Sequence, residues 1–480
     1  MLFNTYEFIL VFLPITVAVY FILGRLGQVF LSKAWLAASS LFFYSYWDIR
    51  YLPLLLGSIL FNFAVGSLLA RINPSAKLGR KLLLTAGIVG DVLLLGYYKY
   101  ADFFIENVNA ALGTDWGLLH VILPLGISFF TFTQIAYLVD AYRLDVKENN
   151  IINYTLFVTF YPHLIAGPIL HHKEMMPQFA DRKNKAFNFN NLTLGTFIFV
   201  MGLAKKVIIA DTFAPIATAG FDTADTLTFF DAWATSLAYT LQLYFDFSGY
   251  SDMAIGAALM FNVHLPINFD SPYKSLNIQE FWRRWHITLG RFLRNYIYIP
   301  LGGNRKGFII TCFNLFITFV IGGIWHGAGW TFLYWGALHG GALVVHRIWS
   351  KKFGLKMNKY LAWFLTFNFV NIAWIFFRAT SLSEAMKVLK GMFGFHGFDI
   401  PGTLNLVPFI QNWGLAISTT PSWQFALIAF FFLVSVFMKN TNQMRDNFKP
   451  TWWIAAMTAV IFVVSLVHFN QISEFLYFNF

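Results

Sequence analysis

The chain has 480 residues, of which 58% are hydrophobic, 20% aromatic and only 12% charged, with a net charge of +11. Soluble domains carry about 25% charged residues, so this chain cannot cover a water-facing surface. Its apolar runs are near 20 residues, not the ~10-residue alternating segments of an outer-membrane barrel, and specify an all-α polytopic membrane protein.

In chain order, the first apolar run, at 8–23, follows Glu7 rather than a basic stretch and precedes no small-residue cleavage site, which predicts a retained first span. Further apolar stretches stand at about 34–48, 51–70, 82–98, 118–139, 151–170, 192–212, 226–246, 251–265, 308–325, 327–348, 360–378, 404–418, 423–438 and 451–469. Several are too short or too rich in Pro and Gly to cross alone, so about eleven crossings with re-entrant or interfacial helices are expected.

Loop charge sets the orientation. Arg25 and Lys33 flank one loop, Arg71, Lys77, Arg80 and Lys81 crowd another, and Asp102, Glu106 and Asp115 fall in the loop after the next span. The positive-inside rule then places the N-terminus outside and 71–81 in the cytoplasm. Segment 272–306, with Lys274, Arg283, Arg284, Arg291, Arg294, Arg305 and Lys306, is the strongest cytoplasmic signal. The excess basic charge serves orientation and anionic lipid heads rather than nucleic acid. The polar stretch 171–191 reads as a cytoplasmic loop, and its adjacent His171 and His172 receive no role. No segment is large enough for a separate soluble domain, so residues 1–480 form one membrane unit, with 274–348 as its motif region and 380–480 as a C-terminal helical segment. No internal repeat is visible, which weighs against an inverted-repeat transporter.

Four segments carry ionisable groups at apolar depth. In TFYPHLIAGPIL, at 159–170, His163 sits between two prolines and marks a re-entrant corner with a structural histidine. LQLYFDFSGYSDMAIGAALMFN, at 241–262, places Asp246 and Asp252 in an apolar run, where each needs a cation, a histidine or donated backbone bonds. They either orient a histidine or pair with an arginine of 283–294, and a structural ion pair is the simpler assignment. QEFWRRWHITLGRFLRNYIYIPLGGNRKG, at 279–307, begins as an amphipathic helix with Trp282 and His286 on one face, Trp285 beside them and Arg284 and Arg291 opposite. It reads as an interfacial helix, and a merely anchoring role for it stands beside a functional one. In IGGIWHGAGWTFLYWGALHG, His326 is bracketed by Gly322, Gly323, Gly327 and Gly329. Glycines this dense let helices pack closely or break, and a break at membrane depth must be buried or line a cavity. A proton-carrying side chain there marks a pathway or a reaction site, with a core histidine bonded to a carbonyl as the alternative. His339, in the same run, is read as structural.

Phosphate-loop, HExxH, CxxC and GxSxG motifs do not occur, so ATP hydrolysis, zinc chemistry and serine-hydrolase chemistry lack support and no metal is expected. The single cysteine, Cys312, sits in an apolar run and reads as a small core residue.

The two histidine motifs, FWRRWHITLGRFLRNYIYIPLGGNR and, about forty residues after its His, GGIWHGAGWTFLYWGALHG, resemble the bacterial branch of the membrane-bound O-acyltransferases. The closest likeness is to the alginate O-acetylation membrane proteins and related polysaccharide and peptidoglycan acetyltransferases. The opening MLFNTYEFILVFLPITVAVYF, the FYPHLIAGPI corner and FDFSGYSDMAIG are also similar to that branch, so the likeness runs over nearly the whole chain. It implies a bundle of about eleven transmembrane helices with re-entrant and interfacial helices around a central tunnel, in the bacterial inner membrane. It also implies that an acyl group, most simply acetyl, passes from a cytoplasmic thioester such as acetyl-CoA or an acyl carrier, with no bound cofactor, to a hydroxyl of an extracytoplasmic polysaccharide or cell-wall polymer. Delivery is direct or through an extracytoplasmic acetyltransferase partner.

Under the resemblance, His326 matches the catalytic histidine and His286 the second one. His326 is then the general base, and His286 positions the donor or polarises its carbonyl. Arg283, Arg284, Arg291 and Arg294, with Trp282 and Trp285, are candidates for holding the donor, Arg305 and Lys306 add charge for its phosphates, and Asp246 and Asp252 are candidate orienting groups. The competing readings are D-alanyl transfer to teichoic acid, which the C-terminal extension past Thr380 disfavours, and a transporter or flippase whose histidines relay protons.

Overall fold

A computed structural model describes residues 1–354, 356–398, 421–470 and 476. Among the described residues the regular structure is helical throughout. Five helices are long and apolar enough to cross a membrane: α1 (Glu7–Arg25), α3 (Ile49–Arg71), α8 (Phe189–Thr223), α12 (Phe308–His326) and α14 (Lys359–Arg378). Between and after them lie α2 (Val29–Ser45), α4 (Lys77–Leu112), α5 (Ile127–Tyr142), α6 (Ile151–Thr159), α7 (His172–Ala180), α9 (Phe229–Leu259), α10 (Ile278–Arg284), α11 (Ile287–Leu293), α13 (Trp330–Ile348), α15 (Leu382–Met392), α16 (Pro421–Phe437) and α17 (Trp452–Val467). The expected apolar stretch at 404–418 lies outside the described residues.

The chain divides into two compact units. One holds Met1–Gly202, Tyr250–Ile267 and Phe448–Phe469; the other holds Leu203–Gly249 and Asn268–Asn447. In the first unit several loop expectations give way to helix. α4 runs 36 residues, about 54 Å at 1.5 Å per residue, and ends at Gly113 in the left-handed region. Asp102 and Glu106 therefore ride on α4 rather than in the loop expected there. Arg80 is likewise no loop marker. It is buried, and its guanidinium donates to the carbonyls of Leu69, Ile72 and Tyr142. These lie at the C-terminal ends of α3 and α5, where orphan carbonyls and the helix dipole favour a cation.

The 171–191 stretch is also not a plain loop, since α7 and a turn at Arg182–Lys185 occupy it. His171 and His172 are buried, facing Asp140 at 3.5 Å and Glu148 at 3.2 Å. The FYPHLIAGPI corner fits its expected form. α6 breaks at Phe160, and His163 Nε2 lies 3.0 Å from the Phe157 carbonyl. Gly167 packs so tightly there that a Cβ would fall 2.3 Å from the His163 Cα.

The second unit holds both motif segments. The periodicity of 226–246 and 251–265 continues through Gly249, so α9 is a single 31-residue helix carrying Asp246 and Asp252. Asp252 is buried in the first unit's portion of α9, at Tyr250–Leu259.

Candidate active site

The α12–α13 hairpin is shaped by its glycines. A Cβ on Gly323 would fall 2.4 Å from the Phe332 carbonyl oxygen and 3.0 Å from the Gly336 Cα, and one on Gly340 would fall 2.8 Å from the Phe316 carbonyl oxygen. The helices therefore cross with backbone nearly touching backbone, as small residues permit. α12 ends at His326, and Gly327 to Gly329 form the link to α13. A Cβ on Gly327 would overlap the Phe332 ring at 2.0 Å. Both uses of glycine expected from the sequence, close packing and a break, occur within this one hairpin.

His326 is 4% exposed and set among aromatic rings. Trp325 lies 4.8 Å from it, and Trp335 and Phe377 each 5.0 Å, all edge to face. Trp335 in turn stands 4.8 Å from His339, so one indole touches two histidines.

The second motif departs from its expected helix. α10 stops at Arg284, Trp285 is extended, and His286 takes φ 43° and ψ 55° before α11 begins at Ile287. α10 and α11 have seven residues each, about 10 Å, and neither can cross a membrane. A left-handed conformation costs a non-glycine residue on the order of 1–3 kcal/mol and persists only where neighbours enforce it.

The enforcing neighbours are residues 268–270. The Asp270 N–H donates to the Arg284 carbonyl at 2.9 Å and the Ile287 N–H to the Asn268 carbonyl at 3.0 Å, so the break is laced from both sides. Asn268 Oδ1 accepts from the Thr288 N–H at 3.2 Å and from its hydroxyl at 2.7 Å, which fixes the amide orientation. The same oxygen faces His286 Nδ1 at 3.4 Å. An amide oxygen only accepts, so Nδ1 carries the hydrogen and Nε2 keeps a lone pair. The ring is 0% exposed, and Nε2 is buried with no hydrogen-bond partner among the described residues. Burial holds this imidazole down to about 3, well below the ordinary histidine value, so it is neutral near pH 7.

His339 has the opposite tautomer. Trp282 Nε1–H donates to its Nδ1 at 3.2 Å, so its hydrogen is on Nε2, again buried without a hydrogen-bond partner among the described residues. Trp282 and Trp285, expected to hold a donor, are buried in this aromatic cluster, with Trp285 stacked on Phe281. Arg283 and Arg294 are exposed, Arg291 is half-buried, and Arg284 pairs with Glu280 at 3.0 Å and faces Asp270 at 3.6 Å.

Among the described residues Asp246 finds neither an arginine nor a histidine. Its partner is Lys206 at 2.7 Å, which also bonds Asp211 at 2.9 Å, giving a buried triad with two carboxylates. That is the structural ion pair expected, with a different cation. Asn268 is the site-shaping residue that sequence reasoning missed, and Lys206 the ion-pair partner it missed. Lys206 carried a signal, as a lysine inside an apolar run; Asn268 carried none.

The model of the membrane-bound O-acyltransferase family, MBOAT, matches residues 119–383, which include both histidine motifs. The chain belongs to the MBOAT family. It is an O-acyltransferase and a multi-pass membrane protein. Among curated relatives, the peptidoglycan O-acetyltransferase of Helicobacter pylori is 47% identical, with 100% of this chain and 98% of that protein covered. The probable alginate O-acetylase of Pseudomonas putida is 38% identical over 100% of both chains. The teichoic acid D-alanyltransferase of Streptococcus thermophilus is 27% identical over 53% of this chain and 68% of that protein. As an MBOAT protein, the chain has a chemistry to which buried neutral imidazoles are suited.

Proposed function

We propose that this MBOAT protein moves an acetyl group from a cytoplasmic thioester to a hydroxyl of an envelope polymer outside the bacterial inner membrane, peptidoglycan being the first candidate. The observation that carries the acceptor is the whole-length match to a peptidoglycan O-acetyltransferase. Delivery is direct or through an extracytoplasmic acetyltransferase partner. The family-type bundle of about eleven spans around a central tunnel would let donor and acceptor meet at membrane depth.

In this reading His326, as general base, takes the proton of the acceptor hydroxyl while its oxygen attacks the thioester carbonyl. The C–S bond then breaks and the proton passes to the departing thiolate. The rings around His326 keep bulk water from the thioester, which would otherwise hydrolyse. The tautomer of His286 suits holding an N–H or O–H group of a substrate through Nε2. Polarising a carbonyl, the other role considered for it, needs a hydrogen on that nitrogen. Exposed Arg283 and Arg294 fit the phosphates of acetyl-CoA or a carrier's arm.

Acetate content of peptidoglycan extracted with and without the gene, alongside transfer of labelled acetyl in membranes, tests the proposal. Loss of peptidoglycan O-acetyl groups is the expected result. Unchanged acetylation there, with loss on an exopolysaccharide, would transfer the role to an alginate-type acceptor, the reading favoured by the Pseudomonas putida relative. No transfer to any polymer would overturn the proposed acceptor class.

A further inference from the structure

A second site, separate from acyl transfer, lies in the first unit. A cavity of 1160 Å³ runs between α1, the start of α8 and α17, larger than the usual few hundred to 1,000 Å³ of small-molecule pockets. Its walls are apolar, with Leu13, Val17 and Phe21 on one side and Val200, Ile454 and Phe462 on others. The wall threonines add little polarity, because their hydroxyls bond back to their own helices. Thr193 donates to the Phe189 carbonyl, Thr196 to Leu192 and Thr458 to Ile454.

One end of the cavity differs, being lined by Gly24, Arg25, Arg182 and Lys185. A Cβ on Gly24 would fall 2.5 Å from the Lys185 carbonyl oxygen, so glycine lets the Arg182–Lys185 turn settle on the end of α1. Lys185 is only 3% exposed. Its ammonium donates to the Tyr20 hydroxyl at 2.7 Å and stands 4.7 Å from the centre of that ring, and neither partner is anionic. The nearest acid in sequence, Asp181, uses Oδ1 to accept from the Lys183 N–H. Arg25 and Arg182 are exposed and form no ion pair among the described residues. A buried ammonium calls for a counter-anion, and burial, helped by the Lys33 charge and only partly opposed by Asp181, lowers Lys185 to about 8.

We propose that this cavity holds one anionic glycerophospholipid, with its acyl chains against α1, α8 and α17 and its phosphate on Arg25, Arg182 and Lys185. Basic pockets between membrane helices bind such headgroups, and arginine forks match phosphate oxygens. A free phosphate has no use for the apolar walls, and a lipid without net negative charge leaves the three cations uncompensated. The positive-inside reading puts Arg25 and the 171–191 stretch on the cytoplasmic side, so the lipid belongs to the cytoplasmic leaflet.

The test uses the full chain in nanodiscs of phosphatidylcholine with a minor fraction of phosphatidylglycerol, followed by detergent extraction and native mass spectrometry. One phosphatidylglycerol per chain is expected to survive extraction in preference to phosphatidylcholine. Retention should fall roughly fivefold for each charge removed in Lys185→Met and in the double variant Arg25→Gln/Arg182→Gln. Ala18→Trp, which narrows the apolar part and leaves the charges alone, should also lower it, and added inorganic phosphate should not displace the lipid. Arg25 and Arg182 are exposed, so their double variant keeps the test decisive if Lys185→Met fails to fold. No retained lipid, equal retention of both lipids, displacement by phosphate alone, or retention unchanged in the double variant would overturn the proposal.

Discussion

The indole N–H of Trp282 donates to Nδ1 of His339 across 3.2 Å, joining α10 to the middle of α13 inside the second unit. Both groups are buried, so removing either one leaves its partner unsatisfied at a cost of about 1–3 kcal/mol. His339→Ala and Trp282→Phe should therefore each lower the detergent-solubilised melting point. Nitrogen NMR of selectively labelled histidine should show the Nε2–H tautomer in the wild type and a mixture in Trp282→Phe. An unchanged tautomer in Trp282→Phe would show that this hydrogen bond does not fix the ring.

His326→Ala tests the general-base assignment directly. Acetyl transfer in membranes should fall by about two to four orders of magnitude, the usual contribution of a positioned proton carrier, while insertion and elution profile stay unchanged. His326→Gln, which keeps ring-sized volume and hydrogen bonding but cannot carry a proton, should be as inactive. Activity in either variant near the wild-type level would move the base elsewhere.

How far the sequence reached depends on the range of the contacts involved. A histidine ringed by glycines in an apolar run announces itself locally, and the α12–α13 hairpin follows from residues close to one another in sequence. The break at His286 was hidden, because the helical period of 279–291 continues across it. What imposes the break is Asn268, 18 residues upstream, reaching Thr288 and His286 through a side chain no local pattern marks. Lys206 and Asp246 meet across 40 residues, so either was visible as a buried charge but not as the other's partner. Arg80 misled for a related reason. Loop statistics count a basic residue as a surface marker, while here it caps two helix ends from inside.

Lys206→Met should damage folding more than function. It would leave Asp211 and Asp246 as neighbouring buried carboxylates without their cation, a loss on the order of 3–5 kcal/mol. Lys206→Met with Asp211→Asn and Asp246→Asn should recover much of the yield, since the stranded charges are gone. Purified yield and melting point give the reading. A triple variant no better than Lys206→Met would mean that the triad does more than balance charge.

Gly323→Ala probes the close crossing. The new methyl meets the Phe332 carbonyl and the Gly336 backbone, which cannot rotate away as a side chain would, so α12 must shift relative to α13. Overpacking of this kind costs about 1–3 kcal/mol, and displacing His326 by about 1 Å could cost 10²-fold in rate. The expected outcome is a protein that purifies with slightly lower stability and transfers acetyl about a hundredfold more slowly. Wild-type turnover in this variant would detach the reaction from the hairpin.

His286 ties stability to pH. Its imidazole is held near 3 in the folded chain by burial, against an ordinary value near 6.5. Between those values the unfolded chain binds a proton that the folded chain refuses, so stability is fully present above about 6.5 and falls as pH drops toward 3. The slope for this one group is about 1.4 kcal/mol per pH unit across that window. Other titrating groups contribute to the total, so the difference between variants is the informative quantity. His286→Phe should lose the part of the acid sensitivity that belongs to this ring, flattening the melting-point profile between pH 6.5 and 4 while leaving it parallel to the wild type above pH 7. If the two profiles stay parallel throughout, the imidazole titrates alike in the folded and unfolded chain, and burial does not hold it neutral.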